Sequence, residues 1–172
     1  VIGETLGLEV ANAAIGGAQV MGGENPIPDQ YESGDWDWAV MDGGGNDLND
    51  RCGCGDCGDV MDSLLSEDGT SGSIVDLVQQ ARSDGARVAW VGYVDMPEDA
   101  DFGFDRCGDE LVEIRLRSAA MAEQDDGVIF VDASEAFGAD ELQYYDDDHV
   151  HPSIPGSRAI GELVAAAMQD AG

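Results

Sequence analysis

Apolar runs that alternate with helical patterns are the feature that most restricts the fold of this chain. The runs ARVAWVGYV (86–94) and GVIFVDAS (127–134) are nearly continuous, which suits strands that are covered on both faces. The segments GLEVANAAI (7–15) and WDWAVMDGG (36–44) each indicate a shorter strand that runs into small residues and a turn. These four segments are predicted to form one parallel sheet.

Three helical patterns separate or follow these strands. Residues 73–85 carry apolar side chains at helical spacing and end on a glycine, where a helix commonly terminates. Residues 109–127 repeat the pattern, and residues 156–172 give a terminal helix. Strands that alternate with helices predict a doubly wound α/β domain with three layers. A length of 172 residues suits a single domain over 1–172.

The acidic composition excludes some classes of partner. The chain has 37 acidic and 7 basic residues, none of them lysine, and a formal charge of −30. Such a field repels nucleic acids and anionic membranes, because binding to either needs clustered cationic side chains. The composition is typical of a surface adapted to high salt, where dissolved ions screen the self-repulsion. A cation such as calcium is the other partner that this charge would suit.

The four cysteines are Cys52, Cys54, Cys57 and Cys107. Structural zinc sites usually combine two close pairs of ligands, and Cys107 has no second cysteine near it, so two disulfides are the favoured interpretation. Their pairing stays open, because four cysteines allow three pairings. Disulfides indicate an oxidising compartment, so a secreted or periplasmic protein is expected. No apolar run reaches the about 18 residues that a membrane span needs.

The segment DDDHVHPS, near the C-terminus, carries the first candidate catalytic residues. Asp148 precedes His151 by three residues, on a loop that enters a helix. This spacing lets the carboxylate accept a hydrogen bond from one imidazole nitrogen while the other nitrogen faces a substrate. A polar loop histidine and a metal site made by Asp147, His149 and His151 are the alternatives.

Two further motifs occur upstream of this segment, in a fixed order. NAAIGGAQV places Asn12 five residues before Gly17, and GGGND places Asn46 after the predicted strand at 36–44. With D-x-x-H-P at the end, the set resembles the SGNH hydrolases, also called GDSL-type esterases and lipases, over essentially the whole chain. The resemblance implies a flavodoxin-like α/β fold.

The resemblance also implies a role for each matching residue. Gly17 would give a backbone N–H and Asn46 a side-chain N–H to the oxyanion of an attacked carbonyl group. His151 would be the general base and then the general acid, with Asp148 fixing its tautomer. The implied activity is hydrolysis of carboxylic esters, such as O-acyl groups of carbohydrates or short acyl lipids, through a serine acyl-enzyme, with no cofactor and no metal.

One block of the family pattern is missing. In the family, G-D-S at the end of the first strand carries the nucleophilic serine, and no serine of this sequence stands in that context. In a flavodoxin-like order that strand would be central, between 7–15 and 36–44. Two strand edges without a neighbour would leave buried backbone groups unpaired, and each unpaired group would cost about 1 to 3 kcal/mol of stability. We therefore expect roughly 25 to 40 residues with the first central strand and the serine to lie outside this sequence, in a fragment that completes the sheet.

Some assignments rest on position in the sequence alone. Trp36, Tyr31 and Asn12 are expected to shape the substrate cleft, although core packing is the alternative for the tryptophan. Asp47 is expected to have a structural role, because a carboxylate beside the oxyanion would repel the negative charge of the oxyanion. His149 is expected to be a neighbour of the site and not the base.

Two other classes of function stay open at this point. GGGND also matches one copy of a calcium-binding repeat, but such repeats bind ions only in series. A calcium-dependent acidic binding protein is therefore one alternative. A non-catalytic binding module with the same fold is the other.

Overall fold

The computed structural model describes residues 1–172 and contains one sheet of three parallel strands. The strands are β1 (Trp38–Met41), β2 (Arg87–Val91) and β3 (Val128–Val131), in the order β1-β2-β3. The register pairs Ala39 with Val88 and Val88 with Val128. The central strand β2 has both faces covered, as its continuous apolar run predicted.

Seven α-helices surround this sheet. The three predicted helices are confirmed as α5, α6 and α7, with bounds that differ by a few residues from the patterns, and four shorter helices precede them. Their bounds are α1 (Ile2–Leu6), α2 (Ile27–Gln30), α3 (Gly45–Cys52), α4 (Gly58–Leu64), α5 (Ser73–Ser83), α6 (Gly108–Ala122) and α7 (Ile154–Asp170). None of these helices is long and apolar enough to cross a membrane.

The side chains of β2 point alternately into two separate cores, which gives the three-layer architecture. Val88 and Trp90 lie in the larger core with residues of α3 to α6, whereas Ala89 lies in a smaller core with Val164 and Met168 of α7. This alternation is the two-residue period of a strand. The predicted α/β fold with helices on both faces of a parallel sheet is therefore confirmed.

The predicted strand at residues 7–15 is wrong. The segment that follows α1 has no regular structure and lies at the surface, with Val10 65% exposed. A strand exists only where a neighbour completes its backbone hydrogen bonds, and β1 pairs with β2 alone, so its other edge has no neighbour within the chain. Val40 of β1 is correspondingly 44% exposed.

The three glycines after β1, residues 43–45, allow the chain to pack closely at the carboxyl end of the sheet. A Cβ atom on Gly44 would lie 2.6 Å from Ile114 Cδ1, and one on Gly45 would lie 2.8 Å from the Tyr93 ring. Gly44 also has φ of 105°, which favours glycine. The Gly45 N–H donates to the Tyr93 hydroxyl at 2.8 Å. These contacts fix the start of α3, and with it Asn46, beside the end of β2.

Two disulfides join the cysteines, as predicted. Cys52 pairs with Cys57 in a short loop after α3, and Cys54 pairs with Cys107 at the start of α6. The second bond links the helix that carries Asn46 to the end of the long loop that follows β2.

Candidate active site

The loop between β3 and α7 holds the Asp148–His151 pair. His151 Nδ1 lies 2.8 Å from Asp148 Oδ2, and Asp148 Oδ1 accepts the backbone N–H groups of Val150 and His151 at 2.9 Å each. The carboxylate therefore organises the turn and the imidazole together. His151 is 60% exposed, and no hydrogen bond within the protein uses its Nε2. That nitrogen is free to accept a proton from a nucleophile.

Asp148 is held in its ionised form. Partial burial opposes its ionisation, but the hydrogen bonds from the backbone and side chain of His151 and from Val150 outweigh burial and lower the pKa of Asp148 to about 2. An ionised carboxylate at Nδ1 accepts a hydrogen bond from that nitrogen of the neutral imidazole and so leaves Nε2 as the hydrogen-bond acceptor.

The second histidine has a carboxylate partner of its own. His149 Nδ1 lies 2.9 Å from Asp99 Oδ1, on the loop after β2, and its backbone has φ of 54°. His149 therefore has a different partner from His151. The metal alternative drawn from Asp147, His149 and His151 finds no support in this geometry, because no group of three such side chains is arranged to hold a metal ion.

The glycine block and the asparagine block meet at the start of α3. Asn46 Nδ2 donates to the Ala18 carbonyl oxygen at 3.1 Å, next to Gly17. An amide group has two N–H donors, so one remains after this bond. Gly17 has φ of 76°, and its N–H has no partner within the protein. The Gly17 N–H and one Asn46 N–H thus have no partner within the protein, and the two residues belong to segments that are in contact.

Asp47 joins the same two segments from inside the core. Its buried carboxylate accepts the backbone N–H groups of Val20 at 2.8 Å and Met21 at 2.9 Å. These bonds anchor the chain just after Gly17 onto α3. This is the structural role expected from the sequence.

Replacing Asp47 with alanine is expected to lower the free energy of unfolding by about 3 kcal/mol, because the N–H groups of Val20 and Met21 lose their acceptor. Urea denaturation of the purified variant measures this change. Asp50→Ala is the matched control on the same helix, since Asp50 is exposed and bonds only the Gln19 side chain, and its expected change is about 0.5 kcal/mol or less. Equal losses in both variants would contradict the role of Asp47.

The loop after β2 contacts both α3, which carries Asn46, and the turn that holds Asp148 and His151. The Asp101 N–H donates to the Asp148 carbonyl oxygen at 2.9 Å, and Asn49 Nδ2 donates to the Phe102 carbonyl oxygen at 2.9 Å. Asn49 lies three residues after Asn46 on α3. The loop therefore bridges the asparagine helix and the Asp–His turn. All these segments follow the carboxyl ends of parallel strands, where α/β sheets bind their ligands.

The remaining sequence-predicted residues are not brought to His151. Tyr31 donates its hydroxyl to Asp84 at 3.1 Å, at the end of α5 and so near the amino end of β2. Trp36 precedes β1 and donates to the Glu32 carbonyl oxygen. Both lie at the end of the sheet opposite Asn46. Asn12 lies in the exposed segment and accepts the Ala14 N–H.

No serine of the chain lies within hydrogen-bonding distance of His151 Nε2. The two serines nearest in sequence, Ser153 and Ser157, donate to the backbone carbonyl oxygens of Gln143 and Pro152. Ser134, after β3, donates to Asp132. Each of these three hydroxyl groups thus has a partner other than His151.

A three-layer parallel α/β domain with these blocks at the carboxyl edge of its sheet has the architecture of the SGNH class of hydrolases. The sequence matches the GDSL-like lipase/acylhydrolase family over residues 1–159, and the chain belongs to that family. Family membership indicates a hydrolase that acts on ester bonds. No curated protein matches the sequence significantly.

Two solved structures have a similar fold. One is a protein from Slackia heliotrinireducens assigned to the SGNH hydrolases, with 24% identity and a TM-score of 0.64 over 97% of this chain and 88% of that one. The other is a GDSL-like lipase from Bacteroides thetaiotaomicron, with 19% identity and a TM-score of 0.54 over 79% of this chain and 63% of that one. At these identities the similarity establishes the fold.

Proposed function

We propose that this protein hydrolyses carboxylic esters through a serine acyl-enzyme, with Asp148 and His151 as the acid–base pair. The observation that carries the proposal is the 2.8 Å contact between an ionised Asp148 and an exposed His151 whose Nε2 is unused. Gly17 and Asn46 support it, because each has an N–H donor without a partner in the protein, and Asn46 bonds the residue that follows Gly17.

The proposed reaction has two halves. A serine hydroxyl attacks the ester carbonyl carbon as His151 Nε2 takes its proton, and the oxyanion accepts hydrogen bonds from Gly17 and Asn46. The carbonyl–alcohol bond then breaks while His151 returns the proton to the alcohol oxygen. Water attacks the acyl-enzyme as His151 takes its proton, the bond from the acyl carbon to the serine oxygen breaks, and His151 returns the proton to that oxygen, which releases the acid.

The serine belongs, in this proposal, to a strand from outside residues 1–172. The unpaired edge of β1 and the absence of a serine at His151 support this assignment. A strand that adds there would place its carboxyl end beside Asn46, since the carboxyl ends of parallel strands lie at one edge. Carbohydrate O-acyl groups and short acyl lipids are the proposed substrates. The two disulfides favour a secreted or periplasmic site of action.

A fluorophosphonate label, which reacts with activated serines, tests the proposal on the protein purified from its natural host. We expect a covalent adduct on a peptide outside residues 1–172, identified by mass spectrometry, and loss of the adduct in His151→Ala. The matched control is His149→Ala, which should still be labelled. An intact mass equal to that of residues 1–172, with no adduct, would overturn the proposal in favour of a non-catalytic binding module.

A further inference from the structure

Phe102 is an exposed aromatic residue beside the proposed base. Its ring centroid lies 6.3 Å from that of the His151 imidazole, in an edge arrangement, and the residue is 67% exposed. Phe104, two residues later, is buried in the larger core. Phe102 therefore contributes little to the core, and its ring is available to a molecule that approaches His151.

The backbone of Phe102 has an unfavourable conformation that neighbouring segments impose. Phe102 has φ of 57°, a region that large side chains rarely adopt and that persists only where surrounding contacts impose it. Those contacts are the hydrogen bond from Asn49 to the Phe102 carbonyl oxygen and the bond from the Asp101 N–H to Asp148. Both bonds connect directly to the site. The exposed position of the ring is thus fixed by the same segments that carry the proposed catalytic residues.

We propose that Phe102 is a specificity residue that contacts the alcohol group of the ester, an inference that rests on the proposed function. His151 must give its proton to the alcohol oxygen when the carbonyl–alcohol bond breaks, so the carbon chain on that oxygen lies against the imidazole. The centroid of the Phe102 ring lies 6.3 Å from that of the imidazole, which is within reach of such a chain. The acyl group is attached to the other side of the carbonyl carbon, away from the proton donor.

The charge around the ring restricts the chemistry of this alcohol group. Asp99 and Asp101 precede Phe102 on the same loop and are exposed, and the chain as a whole carries a charge of −30. Carboxylates at this density repel an anionic alcohol such as a phosphorylated sugar or a glycerophosphate. The ring offers an apolar contact to the carbon chain of the alcohol group, and the carboxylates around it disfavour only an anionic group.

Two isomeric esters separate the alcohol side from the acyl side. Hexyl acetate and ethyl hexanoate have the same atoms and closely similar hydrophobicity, but they carry their longer carbon chain on opposite sides of the carbonyl. The ratio of kcat/KM for hexyl acetate to that for ethyl hexanoate is measured for the full protein and for Phe102→Ala. Each methylene that loses an apolar contact lowers binding about fourfold, so the loss of two such contacts lowers the ratio roughly 15-fold.

Matched variants identify the source of any change. Leu116→Ala removes a side chain of similar exposure, 63%, from α6 and should leave the ratio unchanged. Phe102→Leu should keep part of the preference, because it keeps part of the apolar surface. Thermal unfolding shows whether each variant is folded.

The outcomes distinguish this inference from the proposed function. A fall of the ratio in Phe102→Ala alone supports the inference. An unchanged ratio, or a selective loss of ethyl hexanoate hydrolysis, overturns it while ester hydrolysis stands. If the unmodified protein hydrolyses neither isomer nor any other carboxylic ester, the proposed function itself fails.

Discussion

The His151→Ala variant is expected to lose ester hydrolysis almost completely, with kcat reduced by a factor of about 10³ or more. His151 Nε2 is the one base that the site offers to a nucleophile, and Asp148 has no position from which to replace it, because its carboxylate is turned toward His151 Nδ1 and the backbone. Initial rates with a chromogenic short-chain ester measure the loss. The variant should stay folded, since the side chain is largely exposed.

The His149→Ala variant provides the control within the same loop. His149 also has a carboxylate partner, but that partner is the exposed Asp99 on a different loop. Pairs of this kind contribute at most about 1 kcal/mol, so kcat should change by no more than about fivefold. Equal losses in the two variants would mean that the loop conformation, and not the base at position 151, controls the rate.

Local patterns were sufficient to predict most of the fold. The segments at 86–94 and 127–134 were predictable as strands because buried parallel strands need apolar residues on both faces. The segment at 7–15 has similar composition but forms no strand, because a strand also needs a partner for its backbone groups. The sequence of a single segment carries no information about whether that partner is present.

The candidate site was predictable where its geometry is local. Asp148 and His151 are three residues apart on one turn, so their contact follows from spacing alone. The partnership of His149 with Asp99 and the position of Phe102 depend on how the loop after β2 folds over the sheet edge, and no periodic pattern encodes that path.

The position of the aromatic residues before β1 could have been predicted from the direction of the strand, although they are close in sequence to Asn46. Trp36 is close in sequence to Asn46, but it precedes β1 whereas Asn46 follows it. Ligands of α/β sheets bind at the carboxyl ends of the strands, so residues just before a strand lie at the wrong end. Whether a residue precedes or follows a strand therefore predicts its distance from the site better than the number of residues that separate it from Asn46.

Removing the Cys54–Cys107 disulfide with the double variant Cys54→Ala/Cys107→Ala is expected to lower the free energy of unfolding by about 4 kcal/mol. The bond closes a loop with a sequence separation of 53, and the loss of loop entropy in the unfolded chain scales with the logarithm of that length. Urea denaturation under non-reducing conditions measures the change. The loop that the bond closes contains β2 and all of α4 and α5.

The other disulfide gives a control of the same chemistry. Cys52 and Cys57 are separated by only 5 residues, so the Cys52→Ala/Cys57→Ala variant should lose about 2 kcal/mol. Cys54–Cys107 also ties the end of α3 to the loop that carries Phe102, and therefore its loss should reduce activity as well as stability. A larger loss from the short bond would contradict the entropic explanation. Unchanged activity in the Cys54→Ala/Cys107→Ala variant would show that Asn49 and Asp101 alone hold this loop on the site.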